Sequence, residues 1–295
     1  MSEGAATLAK PETTIGGTLA RGRAVLVAAD IDSAGLDARL LLERAIGCTT
    51  SDIVGHPEKI LRPEQVARFD EMIRRRATCE PVAQILESRE FWSLAFHVTR
   101  DTLAPRPDSE TTIEAVLDRF TDREPPQTIL DLGTGTGCLL LSMLHEFPSA
   151  HGIGVDISRA ALDVARRNAA ALGLDSRATF LYSDWSEAVS DRFDLILCNP
   201  PYVSEADWAG LDPEVRDFEP REALVGGTDG LDVYRTLIPA LTGLLTPNGI
   251  VALEFGQGQE RAISSLLKQH GLGICETRKD LAGIDRCILA TVARI

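Results

Sequence analysis

The tetrapeptide Asn199-Pro-Pro-Tyr202 combines residue types that suit a planar –NH2 group. Pro200 and Pro201 have no backbone N–H, so the main chain there offers only carbonyl acceptors. The side chain of Asn199 adds another carbonyl oxygen, and Tyr202 supplies a flat ring. We therefore predict Asn199, Pro200 and Tyr202 as catalytic residues, and the whole motif, Pro201 included, as the substrate-binding site.

Such acceptors favour methyl transfer to a planar, amide-type nitrogen. The lone pair of an amide nitrogen is delocalised, so this nitrogen is a poor nucleophile. When it attacks a sulfonium methyl group, positive charge develops on it, and acceptors around its N–H groups stabilise that charge. The same acceptors orient the lone pair toward the methyl group. No strong base is needed, because the methylated nitrogen becomes very acidic and loses its proton late.

A glycine-rich motif upstream, Asp131-Leu-Gly-Thr-Gly-Thr-Gly137, predicts a cofactor site. It follows an apolar strand and opens a helix, the context in which such a loop binds a ligand rather than forming a plain turn. A dinucleotide-binding loop would place its third glycine where Cys138 stands, and no phosphate-binding G-x-x-x-x-G-K-[ST] is present. The motif instead favours S-adenosylmethionine, with S-adenosylhomocysteine as the product.

Further cofactor contacts are predicted at the ends of the next strands. Asp156 ends the second strand, where a carboxylate can accept hydrogen bonds from ribose hydroxyls. Asp184 and Trp185 follow the third strand and suit an adenine amino group and its ring. The predicted cofactor-binding residues are Gly133, Thr134, Gly135, Thr136, Gly137, Asp156, Asp184, Trp185 and Asn199.

The elements that position these motifs alternate between strand and helix from Thr128 onward. Predicted strands are Ile129–Leu132, Gly152–Asp156, a third ending at Phe180–Tyr182, Phe193–Cys198, Gly249–Phe255 and Cys287–Thr291. Predicted helices are Cys138–Phe147, Arg159–Leu172 and a third ending near His270. The alternation predicts a parallel, doubly wound sheet, whose ligands bind at the carboxyl ends of the strands.

The first part of the chain reads as a small helical bundle. Leu36, Leu40 and Ile46 recur at near-helical spacing after Ser33, a candidate cap. Pro63 opens a second segment, in which Val66, Phe69 and Ile73 line one face.

Aromatic residues and partial alternation then predict a β-hairpin, and Asp108 or Ser109 is the candidate cap of the helix after it. We predict a helical substrate-recognition domain at 1–88, a hairpin linker at 89–104 and a methyltransferase domain at 105–295.

The composition limits the partners. Thirty basic and 44 acidic side chains give a net charge of −14, which disfavours binding to a phosphate backbone. The six cysteines form no CxxC pair, so reduced thiols are expected and a metal site is not. There is no signal-peptide core and no run of about 18 apolar residues. We expect a cytoplasmic monomer without membrane or nucleic-acid partners.

These motifs together resemble the peptide chain release factor glutamine methyltransferases of the PrmC or HemK type. The cofactor and acceptor motifs match that family. So do the linker and the loop that leads to the cofactor, Glu90-Phe-Trp-Ser-Leu94 and Pro105-Arg-Pro-Asp-Ser-Glu110. After the acceptor motif, the segment Val215–Leu224, Gly226-Gly227 and Asp229-Gly-Leu231 match as well.

The resemblance implies a seven-stranded, Rossmann-like class I methyltransferase domain preceded by a recognition domain of about five helices. It implies transfer of a methyl group from S-adenosylmethionine to the glutamine of the Gly-Gly-Gln motif in release factors, giving N5-methylglutamine.

Three alternatives stay open. Adenine-N6 nucleic-acid methyltransferases share the Asn-Pro-Pro-Tyr motif, but they must extrude a base and bind phosphates, which the net charge disfavours. Glutamine methylation of a ribosomal protein would use the same site chemistry. A non-catalytic scaffold would have no need of an intact acceptor motif.

Overall fold

Two groups of elements follow one another along the chain, and the computed structural model describes them for residues 13–293. The chain divides between Leu86 and Glu87 into two compact units. The first unit is helical: α1 Ile15–Ala28, α2 Ala34–Ile46, α3 Thr50–Gly55, α4 Pro63–Arg76 and α5 Val82–Leu86.

Polar side chains begin two of these helices. The hydroxyl of Thr14 accepts a 3.1 Å hydrogen bond from the Gly17 backbone at the start of α1. Thr49 and Asp52 form a reciprocal capping box at α3. The predicted cap Ser33 lies at the right position before α2 but makes no capping bond. Its hydroxyl instead donates to Asp37, which also forms a buried ion pair with Arg76.

The helix predicted from the spacing of Leu36, Leu40 and Ile46 is present as α2. Leu36 is 49% exposed, whereas Ala38, Leu41 and Leu42 are fully buried. In α4 the predicted face is confirmed, because Phe69 and Ile73 are buried and Val66 packs against the same cluster.

The second unit begins with a hairpin, β1 Ser88–Phe91 and β2 Leu94–His97. Its turn residues Trp92 and Ser93 both have positive φ, as a two-residue hairpin turn requires. The remaining strands are β3 Thr128–Leu132, β4 His151–Asp156, β5 Ala178–Tyr182, β6 Phe193–Cys198, β7 Leu245–Glu254, β8 Leu272–Lys279 and β9 Asp285–Val292. The helices are α6 Glu110–Phe120, α7 Cys138–Glu146, α8 Arg159–Ala171, α9 Glu205–Trp208, α10 Pro213–Arg216, α11 Asp232–Leu244 and α12 Glu260–Gln269.

Seven of the strands form one sheet in the order β5-β4-β3-β6-β7-β9-β8. The strands from β5 to β7 pair in parallel, as predicted. The prediction of an all-parallel sheet is wrong at the far edge, where β9 runs antiparallel to both β7 and β8. The connection between β8 and β9 is short, and a parallel pair needs a longer crossover.

Apolar residues cover both faces of this sheet. Ile129 and Leu195 face the cluster that includes α6, α7 and α8, whereas their neighbours Leu130 and Ile196 face the cluster that includes α11 and α12. Within residues 13–293, no helix is long and apolar enough to cross a membrane. In the same range, no group of His, Cys, Asp or Glu side chains has an arrangement that could hold a metal ion.

Candidate active site

The glycine loop lies between β3 and α7. Gly133, Gly135 and Gly137 all have positive φ, a conformation that other residues rarely adopt. The backbone N–H groups of Gly133 and Thr134 both donate 2.9 Å hydrogen bonds to the carbonyl of Val155 in β4. The loop is thereby held against the end of the neighbouring strand.

Asp156 ends β4 and contacts this loop directly. Its Oδ2 accepts from the Gly135 backbone at 2.9 Å, and its Oδ1 accepts from the Ser158 backbone at 2.8 Å. Burial raises the pKa of this carboxyl, while the backbone hydrogen bonds from Ser158 and Gly135 oppose the shift. Each carboxylate oxygen can accept a second bond, so the side chain can still bind hydroxyl groups.

Asp131 is a second buried carboxyl in the loop, at only 1% exposure. Thr134 donates to its Oδ2 at 2.7 Å, whereas its Oδ1 has no hydrogen-bond partner among the described residues. Burial raises the pKa of Asp131 to about 7, and the nearby charge of Asp156 adds to the shift. An unpartnered buried carboxylate oxygen is costly, which points to a ligand that donates to it.

Trp185 has an unusual positive φ of 47°. A Cβ built on Gly133 would lie 3.3 Å from its ring, so the indole is adjacent to the glycine loop. Trp185 and Asp184 line the same cavity as the loop.

The acceptor motif follows β6, at the same end of the sheet. Asn199 and Pro201 line the cavity, whereas Pro200 is buried and does not line it. The ring of Tyr202 packs against the apolar cluster beside α11 and does not line the cavity. Burial, with the nearby charge of Glu254, raises the pKa of Tyr202 to about 12, so its hydroxyl stays protonated.

Glycines of the following segment hold the backbone of the acceptor motif. A Cβ on Gly226 would collide with the carbonyl of Pro201, and one on Gly230 would collide with that of Tyr202. Backbone hydrogen bonds also join this segment to Val203, the residue after the acceptor motif. The Val203 N–H donates to the Leu224 carbonyl, and the Gly226 N–H donates to the Val203 carbonyl. The segment packs so closely on the acceptor motif that only glycine fits at these two positions.

One cavity of about 410 Å³ contains most of the predicted site. Gly137, Pro200 and Tyr202 do not line it, and Gly137 instead lies at the start of α7. Lining residues that the sequence analysis does not name among the site residues are Asp101, Thr102, Leu103, Ala104, Pro105, Arg106, Ser109, Asp131, Cys138, Leu139, Val155, Ile157, Ser158, Ala161, Ser183, Pro220, Glu222 and Ala223.

An ion pair involves Arg106, one of the residues that line this cavity. Arg106, before α6, pairs with the buried carboxylate of Glu219, which also accepts from the Ala104 backbone. This pair joins the loop before α6 to the Phe-Glu-Pro-Arg segment that follows the acceptor motif. Both pieces appear as motifs in the sequence, but their contact depends on the fold.

Two domain families match the chain. The PrmC N-terminal domain family matches residues 18–86, and the methyltransferase small domain family matches residues 108–210. The first covers most of the helical unit, and the second covers the glycine loop, Asp156 and the acceptor motif.

Close relatives cover almost the whole chain. The release factor glutamine methyltransferase of Rhodospirillum rubrum is 46% identical over 94% of this chain and 84% of the relative. That of Cereibacter sphaeroides is 48% identical over 90% of this chain and 94% of the relative. A more distant relative of the same name, from Nitratidesulfovibrio vulgaris, is 38% identical over 94% of this chain and 95% of its own length.

Solved structures agree on the fold. A methyltransferase from Pyrococcus furiosus has a TM-score of 0.51 at 18% identity, covering 78% of this chain and 99% of that one. The catalytic domain of hMettl16, in complex with the MAT2A 3'UTR hairpin 6, has a TM-score of 0.55 at 17% identity, covering 76% of this chain and 83% of that one. At these identities the likeness concerns the fold alone.

The predictions of fold class, enzyme class and cofactor are confirmed: the chain is an S-adenosylmethionine-dependent methyltransferase with a seven-stranded sheet and a helical N-terminal domain. The assignment of individual site residues stays a prediction. Its sequence places the chain in the release factor glutamine methyltransferase family.

Proposed function

We propose that the enzyme methylates the side-chain amide nitrogen of the glutamine in the Gly-Gly-Gln motif of a peptide chain release factor, giving N5-methylglutamine. The observation that carries this proposal is the position of Asn199, which lines the same cavity as the glycine loop and Asp156. An amide acceptor at Asn199 and a cofactor at the loop would therefore meet in one enclosed space.

The residues around the loop fit S-adenosylmethionine. Asp156 keeps lone pairs for the ribose hydroxyls, and the unpartnered Oδ1 of Asp131 suits a cationic ammonium group. Asp184 and Trp185 line the same cavity and would supply an acceptor for an adenine amino group and an apolar surface for its ring. When bound, the cofactor supplies an electrophilic methyl group.

Asn199 and Pro200 would hold the acceptor nitrogen. The Asn199 side-chain oxygen would accept one N–H of the glutamine amide and the backbone carbonyl of Pro200 the other, which stabilises the charge that develops on nitrogen. Because Pro200 does not line the cavity in this structure, this second contact requires the amide to reach past the cavity lining. The prolines and the close packing of Gly226 and Gly230 fix these acceptors before substrate binds. Pre-positioned acceptors need no rearrangement during the reaction.

The predicted role of the Tyr202 ring, contact with a planar substrate group, needs to be modified. Because it packs against the core rather than the cavity, it supports the backbone of the motif in this structure. Its carbonyl accepts a 3.0 Å hydrogen bond from the side chain of Gln259. Contact between the ring and a planar substrate would require the bound glutamine to extend beyond the cavity.

The helical N-terminal domain has no catalytic motif of its own. We assign it the role of holding a large, folded substrate. Binding energy from such remote contacts positions the reacting group, so it raises turnover as well as affinity.

A methyl-transfer assay with several acceptors tests this proposal. The acceptors are a folded release factor, a short Gly-Gly-Gln peptide, ribosomal proteins and duplex DNA. We expect rapid methylation of the folded factor, much slower methylation of the peptide and none of DNA. Transfer to DNA at the rate of the release factor would instead support an adenine-N6 methyltransferase, and preferred transfer to a ribosomal protein would support the sibling glutamine activity.

A further inference from the structure

Glu254 is a buried carboxylate beside the acceptor motif. It is the last residue of β7 and only 2% exposed. The register between β6 and β7 pairs Cys198 with Leu253, so the next residues on the two strands are Asn199 and Glu254. On its other side Glu254 pairs with Cys287 of β9. A carboxylate in the middle of a sheet is costly unless its neighbours compensate it.

The neighbours of Glu254 include two polar side chains of the site. Ser109 and Asn199 are polar neighbours of its carboxylate, and their interaction with it favours the ionised form. The Asn199 amide nitrogen also lies 3.4 Å from the Ser109 hydroxyl oxygen. The Oε2 atom of Glu254 has no hydrogen-bond partner within residues 13–293.

The backbone of Glu254 is fixed independently of its side chain. The buried hydroxyl of Tyr234 donates a 2.6 Å hydrogen bond to the Glu254 carbonyl. Arg286 attracts the carboxylate but pairs with Asp280 and Asp108. The backbone at Glu254 is therefore fixed, while burial raises the pKa of its carboxyl to about 7 in spite of the attraction of Arg286.

These contacts determine which end of the Asn199 amide faces the cavity. An amide has a donor end and an acceptor end, and its orientation follows from the hydrogen bonds around it. With Nδ2 directed at Ser109 and Glu254, the acceptor Oδ1 is the end left for a substrate. In the reverse orientation Oδ1 would face the carboxylate, and the two acceptors would repel.

We propose that Glu254, together with Ser109, is a positioning residue that holds the Asn199 amide with its oxygen toward the acceptor nitrogen. This inference rests on the proposed function, because it concerns how the acceptor nitrogen is bound. Glu254 does not line the cavity, so it acts through Asn199 and not on the substrate.

A double-mutant cycle in the full-length enzyme tests the proposal. The variants are Glu254→Gln, Asn199→Ala and their combination, assayed on a folded release factor at saturating cofactor. Glu254→Gln keeps the shape of the side chain but replaces one acceptor oxygen with an –NH2 donor, which cannot accept from Asn199 or Ser109. We expect kcat to fall about 10–100-fold, as for a misplaced reacting group, with the Kd for S-adenosylmethionine unchanged. In the Asn199→Ala background we expect no further fall, because residues that act as a unit are not additive.

Glu276→Gln is the matched control. Glu276 is a carboxylate of the same sheet, in β8, and hydrogen-bonds Arg278 away from the site. This variant should retain the wild-type kcat. An equal fall in kcat for Glu254→Gln with and without Asn199 would overturn the proposal, and so would an unchanged kcat for the single variant.

Ser109→Ala keeps the test decisive if Glu254→Gln fails to fold. The Ser109 side chain makes no capping bond to α6, so its removal spares that helix. The kcat of Ser109→Ala should fall relative to the wild type, but Ser109→Ala should cause no further fall in the Asn199→Ala background. An additive effect here would also contradict the proposal. A wild-type enzyme that does not methylate the release factor would refute the proposed function instead, so the two failures are distinguishable.

Discussion

The backbone N–H of Gly135 donates a 2.9 Å hydrogen bond to Oδ2 of Asp156, which joins the glycine loop to the end of β4. Asp156 therefore has two roles in the proposed site. It fixes the loop through one lone pair of Oδ2, and its remaining lone pairs are available to a ribose. Loss of the carboxylate should therefore weaken both the attachment of the loop and the binding of the ribose.

Asp156→Ala should weaken S-adenosylmethionine binding by roughly 2–4 kcal/mol, because two hydrogen bonds to a charged group are lost. Titration calorimetry measures this directly. Asp163→Ala is the control, since Asp163 is an exposed carboxylate on the next helix and pairs with Arg166. An Asp156→Ala affinity equal to that of the control would remove Asp156 from the site.

Asn199→Ala should lower kcat about 100–1000-fold, the usual cost of losing one contact that stabilises the transition state. The 3.4 Å hydrogen bond of Asn199 to Ser109 is long, so we expect a smaller effect on folding stability than on turnover. Asn199→Asp keeps an acceptor and adds a charge, and we expect only partial activity. Single-turnover kinetics at saturating cofactor would measure both, and a near-normal rate for Asn199→Ala would refute the acceptor argument.

Gly226→Ala should displace the acceptor motif, because the new Cβ would collide with the carbonyl of Pro201. Such overpacking costs roughly 1–3 kcal/mol of stability, and we expect kcat to fall with it while cofactor affinity remains. Gly243→Ala is the matched control, since a Cβ at this position in α11 meets nothing within 4 Å. Thermal melts and initial rates that do not differ between the two variants would contradict this account of the segment.

The sequence predicts those parts of the site that follow one strand directly. The strand Phe193–Cys198 has the predicted bounds, and the acceptor motif lies at its end. Strand β8 is not predicted, because its residues are partly exposed and mixed in polarity, and α11 is obscured by the interior Pro239. The exposure of Leu36 in α2 is not indicated by the spacing of the apolar residues in that helix.

Contacts across the sheet are harder to predict. Glu254 and Ser109 lie far from Asn199 in sequence, and only the order of the strands brings them together. The pairing of Arg106 with Glu219 has the same cause. The motifs that contain Arg106 and Glu219 are visible in the sequence, but nothing in their spacing indicates that they contact one another.

Cofactor affinity should rise as the pH rises through about 7, the raised pKa of the buried Asp131. Only the ionised carboxylate attracts a cationic ligand. Calorimetry between about pH 6 and 8 should show this dependence for the wild type and lose it in Asp131→Asn. A variant with the same pH dependence as the wild type would show that another group is responsible.

The same group should affect the stability of the free enzyme with the opposite sign. Because the folded pKa of Asp131 lies above its ordinary value of 3.8, its contribution to stability is present below that value. The contribution is lost as the pH rises through about 7, where the buried carboxyl must ionise. Thermal melts of the free enzyme should therefore depend less on pH in Asp131→Asn than in the wild type.

The measurement that tests the central claim most directly is mass spectrometry of a release factor after incubation with the enzyme and labelled S-adenosylmethionine. We predict one methyl group on the side-chain amide of the glutamine in Gly-Gly-Gln, and no label on a factor in which that glutamine is replaced by glutamate, because the –NH2 is absent. Label on the glutamate variant, or on any other residue of the wild-type factor, would contradict the account.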